Sequence, residues 1–321
     1  LPALALAAGL AALLSLCLGA APLSPGEVLG ALLGRGRGPA AAIVLYARLP
    51  RTGGCLRAGA ALAVSGAVIQ SVLDNPLAAP NIIGVSAGAG LGAALCGALA
   101  PSSAGALPAA AFAGALAAVL LVLFIAEKTG ASRLTLVLAG VAVSGMFSAG
   151  IDTIVTLVPD ALAGYADFRI GGLANLSMAR IIPAFWVVLA ALNLVFSLAR
   201  QLDVLMLGAD TARSLGLRAK PLRLALLTLA AALAGAAVSF SGLIGFVGLI
   251  VPHIMRRLVG EDSFPLLAGC ALGGAVCLTT CDLLARLLFA PYELPVGIVL
   301  SLAGGPFFLW LLIRQRGGRA P

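Results

Sequence analysis

The stretch from Arg48 to Gly92 reads RLPRTGGCLRAGAALAVSGAVIQSVLDNPLAAPNIIGVSAGAGLG. It holds two apolar runs, separated by the polar break Asp74-Asn75-Pro76. The ring of Pro76 disfavours helix at Asn75, and an Asn-Pro pair favours a turn. Both runs are rich in Gly, Ala and Ser, which allow helices to approach closely in a membrane. The stretch therefore predicts two packed membrane-crossing helices, joined by a turn at a membrane face.

The composition of the whole chain agrees with this prediction. Of its 321 residues, 61% are hydrophobic and 10% are charged, with a mean hydropathy of +1.13. An average soluble domain has about 45–50% apolar residues. Only helices and closed barrels satisfy the backbone in a bilayer, and barrel strands would alternate in polarity, which these continuous runs do not. The expected fold is an all-α polytopic membrane protein.

Ten apolar runs recur along the chain, and each has about the length of one helical crossing. They lie at about 1–21, 55–73, 82–100, 107–126, 134–158, 181–199, 222–240, 243–259, 264–289 and 296–313. The sequence between 222 and 259 is nearly continuous, and residues 239–242 offer the expected bend. The pattern predicts about ten transmembrane helices, with nine as the alternative.

The distribution of Arg and Lys predicts the orientation. The C-terminal tail and the segments after the fourth, sixth and eighth runs are basic, which is typical of the cytoplasmic side. We therefore expect both termini in the cytoplasm and the chain in the plasma or inner membrane. The net charge of +8 follows from these flanks, so no nucleic-acid partner is expected. The first loop is the exception to this charge rule, because it would place five arginines outside: Arg35, Arg37, Arg48, Arg51 and Arg57. Either the orientation is wrong or these arginines have a role there.

Two acidic residues, Asp152 and Asp282, lie inside apolar runs, where a charged side chain is a functional hypothesis. Arg286 follows Asp282 by one helical turn, so an ion pair between them is expected. Asp152 has no such neighbour in sequence and its role stays open. An ion-coupled carrier that uses both acids as proton relays is the alternative function for the chain.

The chain has no pattern typical of an enzyme. His253 is its one histidine, and no G-x-x-x-x-G-K-[ST] phosphate-binding loop occurs, so any ATP would be bound by a partner. Cys277 and Cys281 are one helical turn apart, but no second Cys or His pair accompanies them. We therefore expect no metal site.

The segment 207–217, LGADTARSLGL, is too polar to span a membrane and is bracketed by glycines. It predicts a short surface helix, either a solvated linker or a helix presented to a partner's groove. The turn at 128–132, KTGAS, is short and built of small residues, as expected for the rim of a gate.

Seven ordered motifs resemble the membrane-spanning permeases of ATP-driven importers for iron-siderophores, haem and cobalamin, the type II ABC importers. The motifs are RLPR at 48–51, SGAVIQ-x4-NPLAAP at 65–80, GVSAGA at 84–89, LAGVAVS at 138–144, LG-x3-ARSLGL at 207–217, IGFVGLIVPHIMR at 244–256 and DLLAR-x6-ELPVGI at 282–298. The similarity extends over nearly the whole chain. It departs from the family at about 165–175, which puts the identity of the substrate in question more than the mechanism.

The resemblance implies a single transmembrane permease domain over 1–321, and the start at Leu1 leaves room for a missing N-terminal tail. It also implies a dimer with a second copy or a paralogue around a central pathway. Two ATP-binding subunits would dock on the cytoplasmic face and hold Mg-ATP, and an extracytoplasmic binding protein would deliver a metal chelate. Iron-siderophore is the expected cargo, with haem, cobalamin and molybdate as alternatives. The chain itself would be a transport subunit without catalytic residues or a cofactor.

The resemblance also implies roles for individual residues. The positions that match the helix coupling the permease to its ATPase are Gly208, Thr211, Ala212, Arg213, Ser214, Leu215 and Gly216. Those that match the cytoplasmic gate are Thr129, Gly130, Ala131 and Ser132. Arg48, Arg51 and Arg286 match positions that present positive charge to the binding protein. Gln70, Asn75 and Pro76 match a translocation or structural motif.

Overall fold

The computed structural model describes residues 1–19, 21–36, 38–100, 103, 105–129, 133–174, 176–290 and 292–317. These ranges contain helices and turns but no strand. The helices are α1 (Pro2–Cys17), α2 (Pro25–Leu32), α3 (Pro39–Ala42), α4 (Leu49–Leu73), α5 (Val85–Leu99), α6 (Ala106–Lys128), α7 (Arg133–Leu157), α8 (Ala161–Ile170), α9 (Met178–Ser197), α10 (Ala199–Met206), α11 (Ala209–Ser214), α12 (Ala219–Ser241), α13 (Val247–Val259), α14 (Ser263–Leu287) and α15 (Val296–Gly317). A π-helical stretch, Ile43–Arg48, joins α3 to α4, and a 3₁₀ turn, Pro80–Ile83, precedes α5.

Six helices in the described ranges are long and apolar enough to cross a membrane. They are Pro39–Leu73, Ala106–Lys128, Leu134–Leu157, Met178–Ser197, Ala219–Ser241 and Ser263–Leu287. Shorter apolar helices cover Pro2–Cys17, Val85–Leu99 and Val296–Leu309. The all-helical membrane fold is confirmed, but the expected count of ten crossings is not. The 15 residues of α5 and the 13 of α13 extend only about 22 and 20 Å at 1.5 Å per residue.

The first long helix begins earlier than the sequence predicted. Residues 39–47 were expected to connect two spans, yet one continuous helix runs from Pro39 to Leu73. Its π-helical stretch ends directly before Leu49 and Pro50. Because proline has no N–H to donate and its ring crowds the preceding turn, a local widening allows the helix to pass this position. The arginines at 48 and 51 therefore lie on a helix rather than in a loop.

The predicted bend in the sequence from 222 to 259 is confirmed. α12 ends at Ser241, α13 begins at Val247, and an extended segment separates them. Gly242 has φ +69°, a conformation that favours glycine. Phe246 has φ +66°, which is uncommon for a residue with a side chain.

The helix α4 lies at the centre of the bundle, where it packs against α12, α13 and α14. Its glycines face other glycines across two helix pairs. A Cβ at Gly59 would lie 2.2 Å from the carbonyl oxygen of Gly274, and one at Gly66 would lie 1.8 Å from that of Gly248. The backbones are therefore too close for any side chain at these positions, as the small residues of the sequence predicted.

The bundle has two ends that differ in structure. The α8 face holds α2, α8, the start of α9 and the C-terminal ends of α12 and α14. Here the Gly172 amide donates to the Ser241 carbonyl at 2.8 Å, and the Leu243 amide donates to the Phe168 carbonyl at 2.9 Å. The α11 face holds α10, α11, the end of α6 and the start of α12. Here Lys220 Nζ lies 2.9 Å from Glu127 Oε1.

Candidate functional site

A buried carboxylate at the α8 face joins two arginines from different helices. Asp282 on α14 is fully buried. Arg51 Nε on α4 donates to its two oxygens at 3.1 and 3.0 Å. Arg286 Nε lies 3.2 Å from Asp282 Oδ2, close enough for an ion pair although its N–H is not aligned for a hydrogen bond. The predicted pairing of Asp282 with Arg286 is confirmed, and Arg51 is an additional partner.

The charged group continues on both sides of Asp282. Arg51 NH1 donates to Glu293 Oε2 at 2.6 Å, near the end of α14. Arg286 NH2 donates to Ser15 Oγ at 2.7 Å, and this hydroxyl lies 2.8 Å from Thr52 Oγ1. The network therefore links α1, α4 and α14 at one end of the bundle. Since a buried charge is costly without partners, each member depends on the others.

Arg48 binds the carbonyl end of α1. Its NH1 donates to the carbonyl oxygens of Leu16 at 2.7 Å and Cys17 at 2.8 Å, and its NH2 donates to the carbonyl of Ala21. The last carbonyls of a helix have no partner within the helix, and a cation is favourable at that end. Arg48 therefore holds α1 against the long helix that begins at Pro39.

The placement of the three arginines bears on their predicted role. Arg48 and Arg286 are only 6% and 5% exposed in the described chain. The Arg51 side chain is 12% exposed and its Glu293 partner is 42% exposed. Their role in docking a binding protein stays a prediction. Within this group, Glu293 and the edge of Arg51 offer the largest accessible charged surface.

A second polar contact crosses the bundle between α4 and α13. Gln70 is 2% exposed, its Nε2 donates to the Gly248 carbonyl at 3.3 Å, and its Oε1 accepts from Arg256 NH1. The amide of Gln70 thus satisfies a backbone carbonyl and an arginine at the contact where Gly66 allows close approach. The translocation or structural role that the resemblance implies for Gln70 stays a prediction, and its side chain joins α4 to α13.

The turn after α4 has the geometry expected of an Asn-Pro sequence. Asp74 has φ +47°, and the Asn75 amide donates to the Gln70 carbonyl at 3.0 Å. Asn75 Oδ1 accepts from the Leu77 amide at 3.0 Å, which closes an Asx turn around Pro76. Asn75 and Pro76 therefore end the helix and turn the chain.

The segment predicted to couple to a partner is a surface helix at the α11 face. Of its predicted residues, Ala212 is buried, whereas Thr211, Arg213, Ser214, Leu215 and Gly216 are exposed. Gly208 and Gly216 bracket α11 with φ +104° and φ +80°. Leu207 and Leu215 are 63% and 64% exposed at either end of it. The helix carries its own charge pair, Arg213 NH1 to Asp210 Oδ1 at 3.0 Å.

The predicted gate follows α6 at the same face. The Thr129 hydroxyl donates to the Ile125 carbonyl at 2.8 Å, which holds it against the last turn of α6. Gly130, Ala131 and Ser132 lie outside the described residues. Next to this end of α6, a cavity of about 290 Å³ is lined by residues of α6, α7, α11 and α12, including Glu127, Arg213 and Lys220.

The residues that the structure describes contain no cluster of side chains that could bind a metal ion. No group of three or more His, Cys, Asp and Glu side chains lies together there. The six cysteines are present as free thiols.

The sequence of this chain matches one known protein family over nearly its whole length. The model of the FecCD transport family matches residues 6–314, nearly the whole chain. The chain belongs to the FecCD transport family. It is therefore a membrane permease of the ABC transporter class, as the ordered motifs predicted.

Individual members of the FecCD family are similar over most of their length. The hemin transport system permease protein of Yersinia pestis is 39% identical over 284 residues, 87% of this chain and 85% of that protein. The achromobactin transport system permease protein of Dickeya dadantii is 41% identical, over 94% of this chain and 87% of that protein. A solved structure described as an inward-facing metal-chelate type ABC transporter aligns with a TM-score of 0.87 at 30% identity, covering 97% of this chain and 98% of that one.

Two long-range side-chain contacts of this FecCD chain were not predicted from its sequence. Arg51 and Asp282 are 231 residues apart, and Gln70 and Arg256 are 186 apart. The signal for each was a polar or charged residue inside an apolar run, which requires a partner but does not name it. Long-range pairing of this kind depends on which helices are neighbours.

Proposed function

We propose that this chain is the membrane-spanning subunit of an ATP-driven importer that carries a metal chelate, with iron-siderophore as the leading cargo. Family membership supports the transport class, and the names of related permeases range over hemin, achromobactin, hydroxamate-bound iron and vitamin B12. The chain would lie in the plasma or inner membrane, where α1, α5, α13 and α15 would complete ten crossings with the six long helices.

The structure of α11 and its two flanking residues supports this proposal most directly. A short helix between two positive-φ glycines exposes an apolar residue at each end, Leu207 and Leu215. Exposed apolar residues around a small polar helix are expected where a helix inserts into a partner's groove. We assign this helix to docking with two ATP-binding subunits, which would hold Mg-ATP, and the Thr129 turn to the gate beside it. The chain then performs no chemistry itself.

The α8 face would receive the extracytoplasmic binding protein, and both termini would lie in the cytoplasm. Arg51 and Arg286 would then be positively charged residues on the outer side, held in place by Asp282. Arg48 would be held there by the carbonyls at the end of α1. The exposed Glu293 and Tyr292, with Arg51 beneath them, would contact the incoming protein, while Arg48 and Arg286 position this surface. Charged contacts of this kind mainly affect how fast the two proteins associate and in which relative orientation they bind.

A second copy or a paralogue would pack on α7 to complete the pathway. α7 is an apolar helix of which a large part is exposed, with Leu138, Val141 and Met146 each about 60% accessible. Asp152 is also exposed on this helix. A charged residue on an otherwise apolar helix is expected to face a water-filled path rather than lipid. Asp152 would therefore line the transport pathway and would not have to transfer a proton.

The test is ATP-dependent uptake by the permease reconstituted with its ATPase and binding protein in liposomes. Ferric siderophore, haem, cobalamin and molybdate are each supplied as labelled cargo. Uptake of the ferric siderophore that requires all three components is the expected result. Uptake driven by an ion gradient without the ATPase would instead establish the ion-coupled carrier. Preferred uptake of another cargo would change the proposed substrate but would keep the importer function.

A further inference from the structure

Two cavities at the α8 face adjoin each other and differ in polarity. The tail cavity has a volume of about 510 Å³ and is lined mainly by apolar side chains of α6, α9 and α12, such as Phe112, Pro183 and Val187. The head cavity, of about 400 Å³, is lined in part by Asp167 and by the chain around Gly242. The two cavities share Pro108, Arg180 and Ser239.

The tail cavity has the depth of one membrane leaflet. It begins where α6 and α9 start and where α12 ends, and Val187 lies nine residues into α9. At 1.5 Å per residue this is about 13 Å, close to half of the bilayer's hydrocarbon thickness of about 30 Å. Ala109 and Pro183 are exposed at its side, so it opens toward the surroundings of the bundle.

Charged side chains of both signs line the head cavity. Arg180 is exposed at the shared rim and Asp167 is exposed on α8. Within the described chain, neither side chain forms a hydrogen bond or an ion pair. An unpaired arginine beside an apolar cavity suits a phosphate, because the guanidinium forms strong paired hydrogen bonds with its oxygens. An unpaired carboxylate close by suits an ammonium group.

We propose that these cavities bind one aminophospholipid of the leaflet at the α8 face. One of its two acyl chains lies in the tail cavity, its phosphate is held by Arg180 and its ammonium group is held by Asp167. Burial of an acyl chain against Phe112, Pro183 and Val187 stabilises the complex without a specific polar contact. The site is separate from the α11 face and does not depend on which cargo the chain carries.

The test measures lipid bound to the purified chain by native mass spectrometry, with phosphatidylethanolamine and phosphatidylglycerol as probes. One phosphatidylethanolamine per chain should remain bound under conditions that remove other lipids. R180E should weaken its binding about tenfold or more, since a charge-assisted contact becomes a repulsion. R169E, on an exposed residue of α8 that lines neither cavity, is the matched control and should bind as the native chain does.

Two further variants, A109F and D167N, test the tail cavity and the head cavity separately, and A113F is a control. A109F fills the tail cavity from an exposed position and should abolish retention, whereas A113F, four residues along α6 and outside the cavity, should not. D167N should remove the preference for phosphatidylethanolamine over phosphatidylglycerol.

The proposal is overturned if R180E and A109F, both folded by gel filtration, retain phosphatidylethanolamine like the native chain, or if the native chain holds the two lipids equally. Loss of a chain dimer in A109F, with lipid retained, would assign the tail cavity to a second copy. Displacement of the bound lipid by cargo, measured in the same way, would assign the cavity to the transport pathway.

Discussion

The two ends of the bundle use charge in opposite ways. At the α8 face, Asp282 is fully buried between Arg51 and Arg286, and Arg48 is directed at backbone carbonyls. At the α11 face, the pair of Arg213 and Asp210 is 70% and 96% exposed. Buried charges that satisfy one another fix the positions of helices, whereas exposed charges remain available to water or to a partner. One end is therefore built to be rigid, and the other presents a helix outward.

The largest effect is expected for Asp282→Ala. It leaves Arg51 and Arg286 buried without their shared carboxylate, and breaking a buried pair costs about 3–5 kcal/mol. We expect a clear fall in the unfolding temperature of the purified permease in detergent. The matched change at the other end, Asp210→Ala, removes an exposed partner and should have little effect. Similar shifts for both variants would show that the two ends do not differ as described.

Arg48→Ala should have the next largest effect. The charged hydrogen bonds to the Leu16 and Cys17 carbonyls at the end of α1, and to the Ala21 carbonyl beyond it, are lost. A hydrogen bond to a charged group contributes about 1.5–3 kcal/mol. Hydrogen exchange at the amides of residues 14–18 should accelerate, because α1 is no longer held at its end. Arg213→Ala is the control at the α11 face. Unchanged exchange in Arg48→Ala would mean that α1 is held by packing alone.

Gly216→Pro tests the α11 face through function. Gly216 has φ +80°, whereas proline is fixed near −65°, so α11 must be displaced. A residue forced from its backbone conformation costs about 1–3 kcal/mol, and the change is confined to an exposed loop. ATP hydrolysis is expected to continue without transport, as it is for Arg213→Glu. Normal coupled uptake in both variants would reject the coupling assignment.

The smallest effect is expected at the exposed pair of Lys220 and Glu127. Both side chains are about half exposed, at 57% and 46%. Such pairs contribute little and are screened by salt, whose Debye length is about 3 Å at 1 M. Lys220→Ala should lower the unfolding temperature slightly in low salt and not at all in about 1 M salt. A shift that persists in high salt would place this pair with the buried group at the α8 face.

The local features of the fold could be predicted from the sequence. The break between α12 and α13 followed from Gly242, the turn after α4 from Asn75 and Pro76, and the surface helix from its polarity and bracketing glycines. These are properties of a few consecutive residues. The pairing of Asp282 with Arg286 is of the same kind, because one helical turn separates them.

Features that depend on the neighbours of a helix could not be predicted. The contact of Arg51 with Asp282 requires α4 to lie against α14, and nothing in either segment specifies the other. The helical start at Pro39 was not predicted because the arginine-rich sequence before residue 55 was interpreted as a connection, whereas a π-helical stretch continues the helix through it. The number of crossings also depends on where short helices such as α13 lie, which composition does not reveal.

One matched pair of variants tests whether the α11 face binds the ATPase and the α8 face binds the delivery protein. Leu215 and Tyr292 are large side chains, 64% and 79% exposed at opposite ends, so Leu215→Asp and Tyr292→Asp form a matched pair. The direct measurement is the stoichiometry of ATPase and binding protein that co-purify with each variant. We predict that Leu215→Asp loses the ATPase and keeps the binding protein, and that Tyr292→Asp does the reverse. Retention of the ATPase at one copy per permease by Leu215→Asp, or its loss in Tyr292→Asp, would contradict this assignment of the two faces.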